Sequence, residues 1–340
     1  MFIYKSDFMK RYRVGMPILI FMMVVLFVVD LFMGSVAISL SDIGGESDAL
    51  LKKIFYEIRM PRAVAAILVG VALSLSGLLM QTFFRNPLAG PYVLGVSSGA
   101  TLGVALFMLF PPLLGWHLSD MAIRWGSAFF AMMGALMLFV LILGASFKLK
   151  DSVSLLVVGI LVGSAANSIV SILQNVSDPD SVKLFVNWTL GSLSAIKWKQ
   201  VLMVALWVGL GVVVLYFVAR SLDAFLMGED FAASVGVDVK KNRLGIILAT
   251  VLMAGGTTAF TGPIGFVGLA VPHLSRLFLN SSLHRLVVPC SAVMGACVML
   301  LSDILSQLPS NGYVLPINAV TALLGIPVVL WLFFRPGSAR

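Results

Sequence analysis

Five uncharged polar residues, Ser164, Asn167, Ser168, Ser171 and Asn175, recur at i, i+3, i+4, i+7 and i+11 within an otherwise apolar run. At about 100° per residue they share one helical face. Hydroxyl and amide groups exchange hydrogen bonds with a polar solute, and with no charge among them the solute is not trapped. A polar stripe in lipid must face protein or water. The spacing therefore fits the lining of a path, and it fits hydrogen bonding between helices of one bundle equally well. Ser74, Gly77 and Gln81, and further on Asn318 and Thr321, repeat the signal more faintly.

Charged chemistry lies mainly at the edges of apolar runs. Arg59-Met60-Pro61-Arg62 precedes an uncharged segment from Ala63 to Phe84, which closes on Arg85-Asn86-Pro87-Leu88-Ala89. At 1.5 Å per residue that neutral segment crosses ~30 Å of hydrocarbon. An arginine near the bilayer centre costs a few kcal/mol or more, so basic residues mark its ends. Asp30 and Asp303 are the carboxylates within predicted spans, both nearer an end than the middle. A proton or sodium relay needs more acids than this.

Other reactive types form no constellation. There is no Gly-x-x-x-x-Gly-Lys-Ser/Thr loop to cradle nucleotide phosphates. His117, His273 and His284 are scattered, and Cys290 and Cys297 sit seven apart in one apolar run. Neither set has metal-ligand spacing, so the cysteines read as packed thiols and no metal or cofactor is expected. Ser97-Ser98-Gly99 lacks a positioned base. Gly95, Gly99 and Gly103 are better explained by close approach of two helices. No catalytic residue is assigned.

Composition supplies the setting. The 340 residues are 60% hydrophobic and 11% charged, with a mean hydropathy of +1.05. This is a polytopic membrane composition. The net charge of +8 is distributed between apolar runs as topology signals, not gathered into a nucleic-acid surface. The run from Met16 to Ile38 is too long for a signal-peptide core and lacks a small-residue cleavage site.

Periodicity and length predict an all-α protein of ten spans, 16–38, 61–83, 92–110, 123–147, 153–173, 200–219, 243–261, 265–279, 286–306 and 314–334. With both termini inside, fifteen of the 23 lysines and arginines lie on the cytoplasmic side, as the positive-inside bias requires. The outer side keeps Lys52, Lys53, Arg59, Arg62, Arg124, Lys183, Lys197 and Lys199. Outer connections are predicted at 39–60 and 174–199, the second with Trp188 and Trp198 as interfacial anchors. The inner connection 220–243 reads as short amphipathic helices broken at Gly228 and Gly236.

Taken together, these motifs resemble the membrane permease subunits of ABC importers for iron–siderophores, haem and cobalamin. The markers are Arg59-x-Pro61-Arg62, Arg85 to Ala89, Leu94-Gly95-Val96-Ser97-Ser98-Gly99-Ala100, Trp188-x-x-Gly191-Ser192 and Ala232-x-x-x-Gly236. They continue with Gly262-x-Ile264-Gly265-Phe266-Val267-Gly268-Leu269-x-x-Pro272-His273-x-x-Arg276, Leu315-Pro316 and Thr321-x-x-x-Gly325-x-Pro327. The resemblance spans nearly the whole chain.

It implies a single permease domain in the bacterial cytoplasmic membrane. It also implies a homodimer around a central path, two cytoplasmic ATPase subunits and a periplasmic or lipid-anchored binding protein. Spans 2–5 and 7–10 would form an inverted repeat. By the same likeness, Met227, Gly228, Glu229, Ala232, Ala233, Gly236 and Arg243 couple to the ATPase, Arg59 and Arg62 meet acidic residues of the binding protein, and the fifth span lines the path. The sequence departs from the family pattern at Gln307, where an arginine is usual, at Val314 to Asn318, and at Asn280 to Arg285. The reading from another class is a secondary transporter driven by an ion gradient.

Overall fold

A computed structural model of the chain describes residues 2–34, 36, 38, 49–92, 95–116, 119–149, 152–308 and 314–334. His117, Leu94 and the outer segment 39–48 lie outside the described residues. All regular elements among the described residues are helical. Apart from the four-residue helix Phe110–Leu113, they are α1 (Phe2–Phe32), α2 (Ala49–Phe84), α3 (Val96–Met108), α4 (Asp120–Lys148), α5 (Ser152–Val176) and α6 (Pro179–Thr189). After these come α7 (Trp198–Leu226), α8 (Glu229–Ser234), α9 (Val239–Thr261), α10 (Val267–Leu279), α11 (His284–Gln307) and α12 (Ile317–Phe334).

Among the described residues, eight helices are long and apolar enough to cross a membrane, and Val267–Leu279 and Ile317–Trp331 are shorter apolar helices. Each of the ten predicted spans falls on one of these ten. The chain is an all-α polytopic membrane protein.

Two boundaries differ from expectation. Residues 49–60 are helix, not loop, because α2 starts at Ala49 and runs unbroken past Pro61. Pro61 suggested a helix start, since its missing N–H is harmless there. Instead the turn before it, Phe55–Arg59, is π-helical, with the Met60 N–H reaching back to the Phe55 carbonyl. The wider turn makes room where a proline ring would otherwise crowd the preceding carbonyl. Similarly, 220–226 belongs to α7, and the inner connection proper is 227–238.

The chain forms two compact units, Met1–Leu78 with Ser192–Leu206 and Gly265–Arg340, and Leu79–Gly191 with Trp207–Ile264. In the first, Leu19 of α1, Leu78 of α2, Leu279 of α10, and Leu286, Val287 and Cys290 of α11 share one buried cluster. Backbones approach closely here. A Cβ on Gly70 would meet the Gly295 carbonyl, and one on Gly77 the Gly268 carbonyl. Both cysteines are buried free thiols. In the second unit the expected glycine seam is present. A Cβ on Gly99 would meet Gly134, and one on Gly103 the Phe130 carbonyl. Phe107 stacks on Phe130 with centroids 4.8 Å apart. Small residues permit such van der Waals contact between helices in lipid, where hydrophobic burial gives no help.

Candidate functional sites: a charge cluster, a polar face and an inner clasp

In the first unit, Arg62 is locked to Asp303. Its Nε lies 2.8 Å from Oδ2 and its second terminal nitrogen 2.8 Å from Oδ1, with Ser306 Oγ at 3.1 Å. Gln307 Nε2 donates to Asp303 Oδ2 at 3.1 Å and to Asp30 Oδ1 at 3.0 Å. Arg59 donates to the carbonyls of Leu31, at 3.1 Å, and Val36. Arg59 is 7% exposed, Arg62 8%, Asp30 3% and Asp303 0%. The cluster thus ties α1, α2 and α11 together around two arginines and two aspartates. Burying charge is tolerable only when it is paired and hydrogen-bonded.

This arrangement changes how several sequence features read. Arg59 and Arg62 are internal groups of this unit, and both intramembrane carboxylates are engaged within it. Gln307, which departs from the family pattern, bridges Asp30 and Asp303. Asn318, in another departure, accepts the Gly265 N–H at 2.9 Å. Sequence reasoning missed the Arg62–Asp303 pair. The available signal was an arginine at the edge of one span and an aspartate inside another, each costly unless matched.

In the second unit, Ser164, Asn167, Ser168, Ser171 and Asn175 are all exposed on α5. The serines are tied to their own helix. Ser164 donates to the Ile160 carbonyl at 2.9 Å, Ser168 to Ser164 at 3.0 Å and Ser171 to Asn167 at 3.0 Å. Among the described residues of this unit no helix covers the stripe, so hydrogen bonding between its helices does not account for it. Beside it on the wheel runs an exposed apolar arc including Leu161, Ile169 and Ile172. The buried side carries Leu155, Ala166 and Val170. The next helix, α6, begins with the Asp178 carboxylate accepting the Ser181 N–H at 2.9 Å, followed by Pro179. That is a side-chain cap followed by a residue with no N–H to satisfy. The hydrogen bonds from Ser181 hold the Asp178 carboxyl below its ordinary range.

The inner connection is a clasp built in the same unit. α8 lies between Gly228, at φ +115°, and Gly236, at φ +86°, matching the two breaks read from sequence. The Val237 N–H returns to the Ala232 carbonyl at 2.9 Å and that of Gly236 to Ala233 at 3.0 Å. This double closure needs a left-handed residue where Gly236 stands. Ala232 is fully buried, while Met227, Phe231 and Val235 are exposed. Asp238 caps α9 by accepting the Lys241 N–H at 3.1 Å.

Arg243 supports this loop from beneath. Its guanidinium lies 2.7 Å from Glu229 Oε2, donates to the Leu149 carbonyl at 3.3 Å and sits 5.9 Å above the Phe83 ring. Sequence reasoning singled out Arg85 as a marker at the end of the second span but not its place beside this loop. Arg85 adopts φ +48° just past α2, where the Asn86 N–H reaches back to Gln81 at 3.1 Å. Left-handed geometry costs an ordinary residue roughly 1–2 kcal/mol. Its guanidinium lies against Gly228, where a Cβ would stand 3.1 Å from the nearest terminal nitrogen. The segments after α2, after α4 and around α8 therefore converge on two arginines.

Comparison with known proteins agrees with this architecture. The chain is 34% identical over 290 residues to the vitamin B12 import system permease protein BtuC of Vibrio cholerae, covering 84% of each. It is 32% identical over 331 residues to the hemin transport system permease protein HmuU of Yersinia pestis, covering 96% of this chain and 97% of the relative. A solved structure of a metal-chelate type ABC transporter in an inward-facing conformation superposes with a TM-score of 0.82. It is 29% identical and covers 94% of this chain and 98% of that one. The FecCD transport family matches residues 22–335, and with that match over most of its length the chain belongs to that family.

Proposed function

We propose that this chain is the transmembrane permease subunit of an ABC importer, translocating a metal chelate of the iron–siderophore, haem or cobalamin class by alternating access. The observation that carries the reading is the uncovered polar face of α5. Ser164, Asn167, Ser168, Ser171 and Asn175 supply neutral hydrogen-bonding groups that a bulky solute can meet and leave. Two copies of the chain would place two such faces along one path. The apolar arc beside the stripe suits lipid, and the stripe itself suits water.

The inner clasp supports the partner assignment. Met227, Phe231 and Val235 make an apolar surface on an otherwise polar connection, as a docking contact for two cytoplasmic ATPase subunits requires. Gly228, Ala232, Ala233 and Gly236 give α8 its shape, and Glu229 and Arg243 hold it from within. A binding protein would deliver the chelate at the opposite face. The contribution of Arg59 and Arg62 to its docking is positional: both guanidiniums are engaged inside their unit, so they fix where residues 49–58 stand. Both termini would lie in the cytoplasm, and the chain itself would perform no catalysis.

The test is reconstitution in proteoliposomes with the ATPase and binding protein. The expected result is ATP-dependent accumulation of one of three probes, a ⁵⁵Fe trihydroxamate, haem or cyanocobalamin. Uphill uptake by the isolated chain under a proton or sodium gradient would establish the secondary-transporter alternative instead. The engagement of Asp30 and Asp303 with Gln307 and Arg62 weighs against that alternative.

A further inference from the structure

The five residues of the α5 stripe do not offer equal chemistry. A serine hydroxyl has one proton to donate. In Ser164, Ser168 and Ser171 that proton points to a carbonyl of the preceding turn, at 2.9–3.0 Å. Such back-bonding is the common resting state of a serine in a helix. What remains for a solute is the oxygen lone pairs. To a passing molecule the three serines are acceptors.

Asn167 and Asn175 differ. Each carries an amide with two N–H donors and a carbonyl acceptor, and both side chains are exposed. They stand eight residues apart, about 12 Å along the axis, and bracket Ser168 and Ser171. Gln174, on the flank of the same face, is half-buried. α5 has no charged side chain anywhere along its length. The exposed face is thus an acceptor track with donors at two stations.

We infer that Asn167 and Asn175 are the specificity-determining residues of the path, reading the cargo through its outward-facing oxygen acceptors, such as carboxylate or carbonyl groups. On this face a chelate bearing such oxygens finds exposed amide donors at the two asparagines, with the half-buried Gln174 on the flank, whereas a cargo rich in amide or hydroxyl donors is met along the whole track. Loss of the asparagine donors therefore changes which cargo passes, and not merely how fast. This inference rests on the path assignment above, and the experiment separates the two.

The substitution that reverses the chemistry at constant shape is Asn167→Asp, which replaces two donors with a negatively charged, acceptor-only carboxylate. Asn167→Leu removes the donors without adding charge and should show the same loss; Asn167→Gln keeps the donors. The permease, reconstituted with its ATPase and binding protein, is assayed with the ⁵⁵Fe trihydroxamate, haem and cyanocobalamin. Asn167→Asp, and separately Asn175→Asp, should lower uptake of an acceptor-bearing probe about tenfold, the effect of ~1.4 kcal/mol. Asn167→Gln should retain at least about half the rate, and Leu161→Ala, on the exposed apolar arc outside the stripe, should change it less than about twofold. Where two probes are carried, the loss should be smaller for amide-rich cyanocobalamin, a change in ratio that a merely structural role would not produce. Equal losses in Leu161→Ala and Asn167→Asp, or an unchanged rate in Asn167→Asp, would overturn the inference. Labelling of Asn167→Cys and Asn175→Cys by a membrane-impermeant maleimide tests the path itself. Labelled sites with unchanged selectivity remove only the inference, while unlabelled sites remove the path and the inference together.

Discussion

Two arginine–carboxylate pairs, one in each compact unit, solve different problems. Arg62 and Asp303 are 241 positions apart in sequence and meet in a two-pronged contact with the carboxylate fully buried. Arg243 and Glu229 are 14 apart and meet through one nitrogen, with side chains 11% and 19% exposed. The first joins helices that sequence places far apart, and Ser306 and Gln307 hydrogen-bond to it. The second joins the root of α9 to a six-residue helix whose outer side is uncovered. A buried pair between long helices acts as a staple. A half-buried pair beneath a short helix acts as a strut, and what it controls is the pose of the surface above it.

The sharpest way to break the comparison is to remove one carboxylate. Asp303→Ala leaves the Arg62 guanidinium buried beside a void, and loss of one partner of a buried pair costs about 3–5 kcal/mol. The expected outcome is a large drop in melting temperature in detergent, or failure to accumulate in the membrane. The double change Arg62→Met with Asp303→Leu should recover most of that loss, since apolar replacements of similar volume do so elsewhere. A double variant as unstable as the single one would assign the pair a role beyond stapling.

Arg243→Met should be milder, on the order of 1–2 kcal/mol, because a hydrogen bond to a charged group is worth about that and the pair is partly solvated. Its larger effect should be on the surface the strut supports. ATPase co-purification and ligand-stimulated ATP hydrolysis should fall while the melting temperature changes little. A loss of stability as large as that of Asp303→Ala, with coupling intact, would erase the distinction between strut and staple.

The smallest effect concerns pH at the start of α9. The Lys241 backbone N–H is the main group holding the Asp238 carboxyl below its ordinary 3.8. The folded value is lower than the unfolded one, so the cap is complete above 3.8 and is lost as pH falls through the folded value. The protection factor of the Lys241 amide should therefore stay level between about pH 8 and pH 5 and fall only in stronger acid. A fall near neutrality would mean that another group sets the cap.

How much of this was legible in the sequence depended on how local the cause was. The α5 stripe needed only helical periodicity, and the breaks at Gly228 and Gly236 needed only the conformational freedom of glycine. The ten apolar segments followed from length. Helix 49–60 was hidden because Lys52, Lys53 and Glu57 make it polar and Pro61 resembles a first-turn residue. A π turn upstream of a proline leaves no compositional trace. Nor did the sequence pair Arg62 with Asp303: the cost of each alone called for a partner, but neither neighbourhood says which residue, 241 positions away, supplies it. Arg85 in a left-handed conformation was equally invisible, because residue type argues against it and only its contact with Gly228 gives a reason.

The π turn at Val251–Gly255 makes chain length itself a carrier of information. One surplus residue there sets the rotational phase of everything that follows in α9, and removing it would dial the downstream helix by about 100°. Thr258, which lies 3.4 Å from the Tyr92 hydroxyl, would swing off its neighbour. Ile264, whose N–H donates to that same hydroxyl at 3.2 Å while its carbonyl accepts from it at 3.0 Å, would follow. A deletion of one codon in this stretch, leaving composition and hydropathy almost untouched, would therefore be more disruptive than most substitutions at the same positions.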